Sequence, residues 1–165
     1  MKKLIIALAL SAAFSPAQAD TSGHKVDLIF GGYSSHMLEL DYDYKFNESH
    51  NMIGLIYNDD LTLVTFENSY YNRSILLSYK WDLYEYDINS QVKIGLSVST
   101  GLVTGYTADQ VGAAYLGGGV SLHVLPALSI SYQITNDLAF HIDNGVIPAD
   151  NGIVYTNNFR LSYKF

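Results

Sequence analysis

Polar and apolar residues alternate with a period of two along most of the chain beyond residue 20, and nowhere there do apolar residues recur convincingly at helical spacing. Successive side chains of a strand point to opposite faces, so this pattern predicts strands with unlike faces and an all-β fold. The clearest runs set Ile75, Leu77, Tyr79 and Trp81 against Ser74, Ser78 and Lys80, and Val92, Ile94, Leu96 and Val98 against Lys93, Gly95, Ser97 and Ser99. Two more set Leu128, Ile130, Tyr132 and Ile134 against Ser129, Ser131 and Gln133, and Phe159, Leu161, Tyr163 and Phe165 against Arg160, Ser162 and Lys164. The pattern predicts eight strands, at 25–35, 51–58, 61–69, 73–83, 91–104, 114–134, 137–143 and 153–165. Gly117–Gly119 and Pro126 interrupt the sixth, and an alternative division places a turn at Leu125, Pro126 and Ala127.

Alternation alone fits a soluble sandwich, whose apolar face meets a protein core, and a membrane barrel, whose apolar face meets lipid. Four features favour the barrel: segments of about ten residues, 14 tyrosines suited to interfacial girdles, a final aromatic residue in phase with the apolar face, and an export signal. The signal is read in residues 1–19, where Lys2 and Lys3 precede an apolar stretch from Leu4 to Phe14 and Ala17-Gln18-Ala19 forms a small-residue cleavage site. The expectation is therefore a signal peptide at 1–19 followed by an eight-stranded antiparallel transmembrane β-barrel over 20–165, in the outer membrane of a Gram-negative bacterium. The even strand number agrees with a bacterial single-chain barrel. Short turns at Asn58-Asp59-Asp60 and Thr135-Asn136-Asp137 suit the periplasmic rim, and the longer connections 36–50, 105–113 and 144–152 suit the outside.

Composition narrows the chemistry. The chain has 165 residues, no cysteine and a net charge of -7. Removing the 19-residue signal takes two lysines and no acid, leaving 146 residues with 7 basic and 16 acidic groups. That excludes disulfide scaffolds and cysteine-based zinc sites, and argues against nucleic acid as a partner, since phosphates need a basic face. His24, His123 and His141 show no metal-ligand spacing, and no cofactor is expected.

In the predicted topology, the ends of strands one and three and the starts of two and four meet at the outer rim, gathering His36, His50, Asn68, Ser69 and Arg73. The His36 and Ser69 backbones, with one strand between them, lie roughly 10 Å apart at about 4.8 Å per neighbour. A histidine that takes a serine's proton, oriented by a third group, is the general recipe for acyl transfer. His36 shares the phase of Val26, Leu28 and Phe30, however, so a bulge or strand end must turn it inward. Strands two and three are apolar on both faces, which gives one wall of the lumen a dry lining suited to a hydrocarbon chain or to simple packing of a narrow barrel.

Phe66-Glu67-Asn68-Ser69-Tyr70, followed by Ser78-Tyr79-Lys80-Trp81 on the next strand, resembles the PagP-like lipid A palmitoyltransferases of the outer membrane. There an Asp-Ser-aromatic step ends one strand and a Gly-Tyr-Gly-Trp run follows on the next. The resemblance implies Ser69, His36 and Asn68 as catalytic residues, Tyr70, Arg73, Lys80 and Pro126 as substrate contacts, and a monomer acting on phospholipid and lipid A (lipopolysaccharide). Leu125-Pro126-Ala127-Leu128 resembles the family's proline-interrupted sixth strand, where lost ladder bonds admit lipid laterally. Three departures stand out. Asn68 replaces the family's aspartate, so Asn68→Asp is expected to preserve or raise activity. Lys80 replaces a glycine at the lumen floor, which implies a shallow or blocked pocket. With only Pro126 and Pro148 beyond the signal, the family's second proline-flanked gap has no counterpart. His141-Ile142-Asp143 resembles the His-x-Ser site of lipid A deacylases, but Asp143 replaces the serine and that class is rejected.

Overall fold

The computed structural model describes residues 24–38, 44–149 and 152–165. The signal segment lies outside the described residues. Nine strands form one antiparallel sheet: β1 (Lys25–Leu38), β2 (Ile53–Tyr57), β3 (Leu61–Glu67), β4 (Arg73–Asp87), β5 (Val92–Thr104), β6 (Tyr115–Gly117), β7 (Val120–Gln133), β8 (Leu138–Ala149) and β9 (Gly152–Lys164). Their order is β5-β4-β3-β2-β1-β9-β8-β7-β6, and β5 also pairs with β7 from Val92↔Tyr132 to Thr104↔Val120. That pairing closes an eight-stranded barrel, and β6 is a short outer-loop strand against the start of β7.

Strand boundaries differ from the sequence expectation: β1 runs to Leu38 and β4 to Asp87, beyond the expected 35 and 83. The predicted sixth strand splits because Gly117, Gly118 and Gly119 take φ of 110, 60 and 78°, a conformation open to residues without Cβ. Pro126 makes no turn: it sits within β7 opposite Val98, as the strand read through to 134 expects and the alternative division does not. The predicted outer connection 144–152 is largely strand, since β8 and β9 stay paired up to Ala149↔Gly152.

Which face is buried decides between sandwich and barrel. Leu28, Leu55, Leu63, Leu77, Leu128 and Ile130 are exposed, whereas Asp27, Ser74, Ser78, Ser97, Ser129, His141, Arg160 and Ser162 are buried. This is the pattern of a barrel with its apolar side toward lipid and its polar side toward a narrow lumen. Among the described residues no helix is long and apolar enough to cross a membrane, so crossing rests on the strands. Tyr57, Tyr132, Tyr163 and Phe165 crowd the periplasmic end, as an interfacial girdle requires.

The lumen has two parts. Toward the periplasm, Arg160 bonds both Asp27 and Asp143, with Nε 2.7 Å from Asp143 Oδ2, and Ser129 donates to Asp143. His141 lies between Ser131 and Ser162, each 2.7 Å away. Higher up, Ile29, Ile56 and Val64 form a buried apolar cluster against Met52, Phe66 and Leu76, the dry wall expected of strands two and three.

Candidate functional site

His36 reaches the lumen through a bulge. Ile29 is registered with Arg160 and Gly32 with Asn158, so two residues of β1, Phe30 and Gly31, face the single Phe159. Gly31 takes φ 71°, the left-handed conformation that a bulge glycine supplies. One extra residue reverses the phase. Ser34 becomes buried and His36 half-buried on the inner face, while Tyr33 and Met37 turn outward.

Ser69 is set by the turn that follows β3. Asn68 is fully buried and its amide organises that turn. Its Oδ1 accepts from the backbone N–H of Tyr70 (2.9 Å) and Asn72 (3.0 Å), and its Nδ2 donates to Ser74 Oγ (3.1 Å) and the Gly105 carbonyl (2.8 Å). Tyr71, at φ 62°, completes the reversal. The expected role of Asn68 as the group orienting His36 is not what the structure has: local bonds claim the amide, and His36 Nδ1 is buried with no partner among the described residues.

The expected proximity does occur. His36 Nε2 lies 3.1 Å from Ser69 Oγ, and the imidazole stacks on Phe46 at 4.1 Å with 6° between the planes. Tyr44, Phe46, Tyr70 and Tyr106 form an aromatic cluster beside the pair, with Tyr70 5.5 Å from both Tyr44 and Phe46 and 6.2 Å from Tyr106. Burial drives the Tyr106 phenol to a higher pKa, which keeps it neutral. Arg73 opens β4 opposite Glu67 and is exposed, in phase with the outward-facing Ile75 and away from the serine. Lys80 points inward in phase with Ser78, is largely buried and pairs with Asp82 at 3.0 Å.

The wall has a weak seam between β7 and β8. The β7–β8 ladder runs from Gln133↔Ala139 to Ala127↔Gly145 and stops, although both strands continue outward. Pro126, directly above that last pair, lacks the N–H a ladder needs; Pro148 stands on the facing strand. Asn144 Nδ2 donates to the Leu128 carbonyl (3.2 Å), tying the seam just below the opening. Ile147, above the last pair, is registered with Val154, and Val154 with His36. The unpaired stretch of β8 above that pair and the histidine therefore share a row, two strand spacings or roughly 10 Å apart.

Other serine–histidine pairs were not singled out in the sequence. His50 Nε2 meets Ser34 Oγ at 2.8 Å while its Nδ1 meets the Glu67 carbonyl at 2.8 Å, and Ser99 Oγ lies 3.2 Å from His123 Nε2. Burial pushes the His50 imidazole below its ordinary pKa, partly offset by the Glu67 carbonyl and the nearby Glu67 and Glu48 charges. Asn47 also escaped notice: it is buried, and its Nδ2 donates to the Asn68 carbonyl at 3.2 Å. The signal for the inward pairs was present as serine and histidine on one parity of strands whose other parity is apolar.

No protein-family model and no curated protein matches the chain. Among solved structures it is similar to Ail, the attachment invasion locus protein of Yersinia pestis, in complex with the heparin analogue sucrose octasulfate, at 14% identity and TM-score 0.45, covering 88% of this chain and 100% of that one. Neisserial surface protein A is similar at 19% identity and TM-score 0.42, over 87% and 98%. A de novo designed transmembrane β-barrel is similar at 11% identity and TM-score 0.49, over 88% and 98%. The barrel stands on its own register and burial, and these distant likenesses assign no activity to the chain.

Proposed function

We propose that this outer-membrane barrel transfers an acyl chain between lipids at the outer leaflet, with Ser69 as nucleophile and His36 as general base. The observation that carries the reading is the 3.1 Å contact between His36 Nε2 and Ser69 Oγ, at the outer rim and half-open to the surroundings. His36 Nε2 would take the hydroxyl proton as Ser69 Oγ attacks a phospholipid ester carbonyl. The same proton would pass to the departing lysolipid alcohol. A hydroxyl of lipid A would then attack the acyl-serine, giving its proton to His36 and releasing Ser69 as the ester forms. Stacking on Phe46 holds the imidazole plane in place of the missing carboxylate. The β7–β8 opening supplies lateral access in the row of His36, and the apolar cluster of Ile29, Ile56 and Val64 offers a hydrocarbon contact. Lys80 and the Arg160 network would limit the depth available to that chain.

A second reading, a non-catalytic barrel acting through its outer loops, draws on His36 Nδ1, which has no partner among the described residues, and on serine–histidine contacts elsewhere in the lumen, as between Ser131 and His141. Mass spectrometry of lipid A from cells with and without the protein separates the two. An added acyl chain that disappears in Ser69→Ala is expected; unmodified lipid A in cells supplied with phospholipid favours the second reading.

A further inference from the structure

The strand β2 begins only at Ile53, so below the rim residues of β1 and β3 something else must fill the space between them. Residues 46–50 do so as a strap bonded on both sides. Toward β1, Ser34 N–H donates to the Glu48 carbonyl (2.9 Å) and His50 N–H to the Gly32 carbonyl (3.0 Å). Toward β3, Asn47 N–H donates to the Ser69 carbonyl (2.9 Å) and Glu67 N–H to the His50 carbonyl (2.9 Å).

We propose that this strap positions the dyad, with Asn47 and His50 as positioning residues for Ser69 and His36; the proposal rests on the acyl-transfer reading. Asn47 holds two consecutive carbonyls, Ser69's through its backbone and Asn68's through its side chain, while its own Oδ1 accepts from Ser49 N–H at 3.2 Å. The peptide on which Ser69 sits is thus fixed from the strap side as firmly as Asn68 fixes it from below. His50 works as a spacer. Its Nδ1–H donates to the Glu67 carbonyl, which leaves Nε2 to accept from the Ser34 hydroxyl, so one ring spans β3 and β1. Glu67 and Ser34 lie two residues before Ser69 and His36 on their respective chains. The His50 bridge is therefore the rung below the His36–Ser69 contact and sets the separation at which that contact closes. Phe46, at the head of the strap, stacks on His36. Neither Asn47 nor His50 touches the serine hydroxyl, so each acts through the alignment of others, and misplacement of about 1 Å costs up to about 10²-fold in rate.

A fluorophosphonate probe reads that alignment directly. As the Ser69 Oγ–phosphorus bond forms, the phosphorus–fluorine bond breaks, fluoride leaves and His36 takes the hydroxyl proton. The full-length barrel in detergent micelles should be labelled at Ser69, identified by peptide mass spectrometry, and Ser69→Ala should not. Asn47→Ala and His50→Ala should label about 10- to 100-fold more slowly while keeping the heat-modifiable gel shift of a folded barrel. His50→Gln, which retains a donor and an acceptor, should recover most of that loss, and Asn47→Asp, which keeps the Ser49 bond and loses the Asn68 one, should behave as Asn47→Ala. Wild-type protein left unlabelled would overturn the acyl-transfer reading and this proposal together. Labelling at Ser69 that proceeds at the wild-type rate in Asn47→Asp and His50→Ala would overturn the proposal and leave that reading standing.

Discussion

At the periplasmic end of the lumen, His141 has both ring nitrogens engaged by serines and Arg160 is shared by two carboxylates. At the outer end, His36 has one nitrogen on Ser69 and the other with no partner among the described residues. His50 stands between these extremes in the chain of contacts, saturated on both nitrogens but bonded to a serine, Ser34, that is buried. The same residue types thus make a rigid filling where every lone pair is used and the serine is sealed, and a site where access is kept and one nitrogen is left over. A saturated histidine on a sealed serine marks filling; an accessible serine on a histidine marks the candidate site.

That contrast can be broken first at the open pair. Ser69→Ala or His36→Ala should each lower acyl transfer by at least about 10²- to 10⁴-fold with the barrel still folded, whereas Ser34→Ala, which frees one end of the His50 bridge, should lower transfer less, by about 10- to 100-fold, and cost about 1 kcal/mol of stability. Lipid A mass spectrometry and urea titration in micelles report the two quantities. Next comes the saturated end. Arg160→Met leaves Asp143 without its cation and the buried Asp27 with only Lys25 at 3.9 Å, and should cost about 3–5 kcal/mol in the same titration, with little direct effect on the rim. A third change corrects the simple expectation for Asn68→Asp. Because the Nδ2 of Asn68 donates to the Gly105 carbonyl, a carboxylate there loses that bond and faces an acceptor, while the Ser74 hydroxyl can turn to donate to it. The substitution should destabilise by about 1–3 kcal/mol and lower transfer rather than raise it.

The smallest effect is a pH dependence at the rim. The His50 pKa is depressed in the fold, so as pH falls the unfolded strap gains a proton first. Stability from this residue is complete above the unfolded value of about 6.5 and declines as pH falls through it toward the folded value. Hydrogen exchange of the Glu67 and His50 amides, corrected for intrinsic rates, should therefore show faster local opening at pH 5 than at pH 7.5 and no further slowing at pH 8.5.

Alternation made the barrel legible, because lipid outside and a polar lumen inside impose opposite demands on successive residues of a strand. It also located His36 and Ser69 on one rim, since strand order fixes which ends are neighbours. The inward turn of His36 was legible only as a requirement for a bulge, which the Gly31-Gly32 step supplies. The role of Asn68 was not legible: an aspartate or asparagine before a serine reads equally well as a catalytic orienter and as a turn residue, and the choice depends on Ser74 and Gly105, distant in sequence. Asn47 was invisible for a related reason, since loop residues carry no periodicity. The extension of β8 to Ala149 escaped because Asn144, whose Oδ1 accepts from Tyr155 and Asn157, places a polar group on the outward face and masks the alternation.

The bulge at Gly31 has a meaning beyond local geometry. In an alternating strand each position carries a parity, and parity decides whether a side chain is addressed to lipid or to the interior. A single inserted residue works as a parity switch for everything that follows it on the strand. Upstream of Gly31 odd numbers face the lumen, as Asp27 and Ile29 do; downstream even numbers do, as Ser34 and His36 show. Reactive groups were thus moved indoors by an offset rather than by new side chains, and a one-residue deletion at this point would return the same histidine to the lipid.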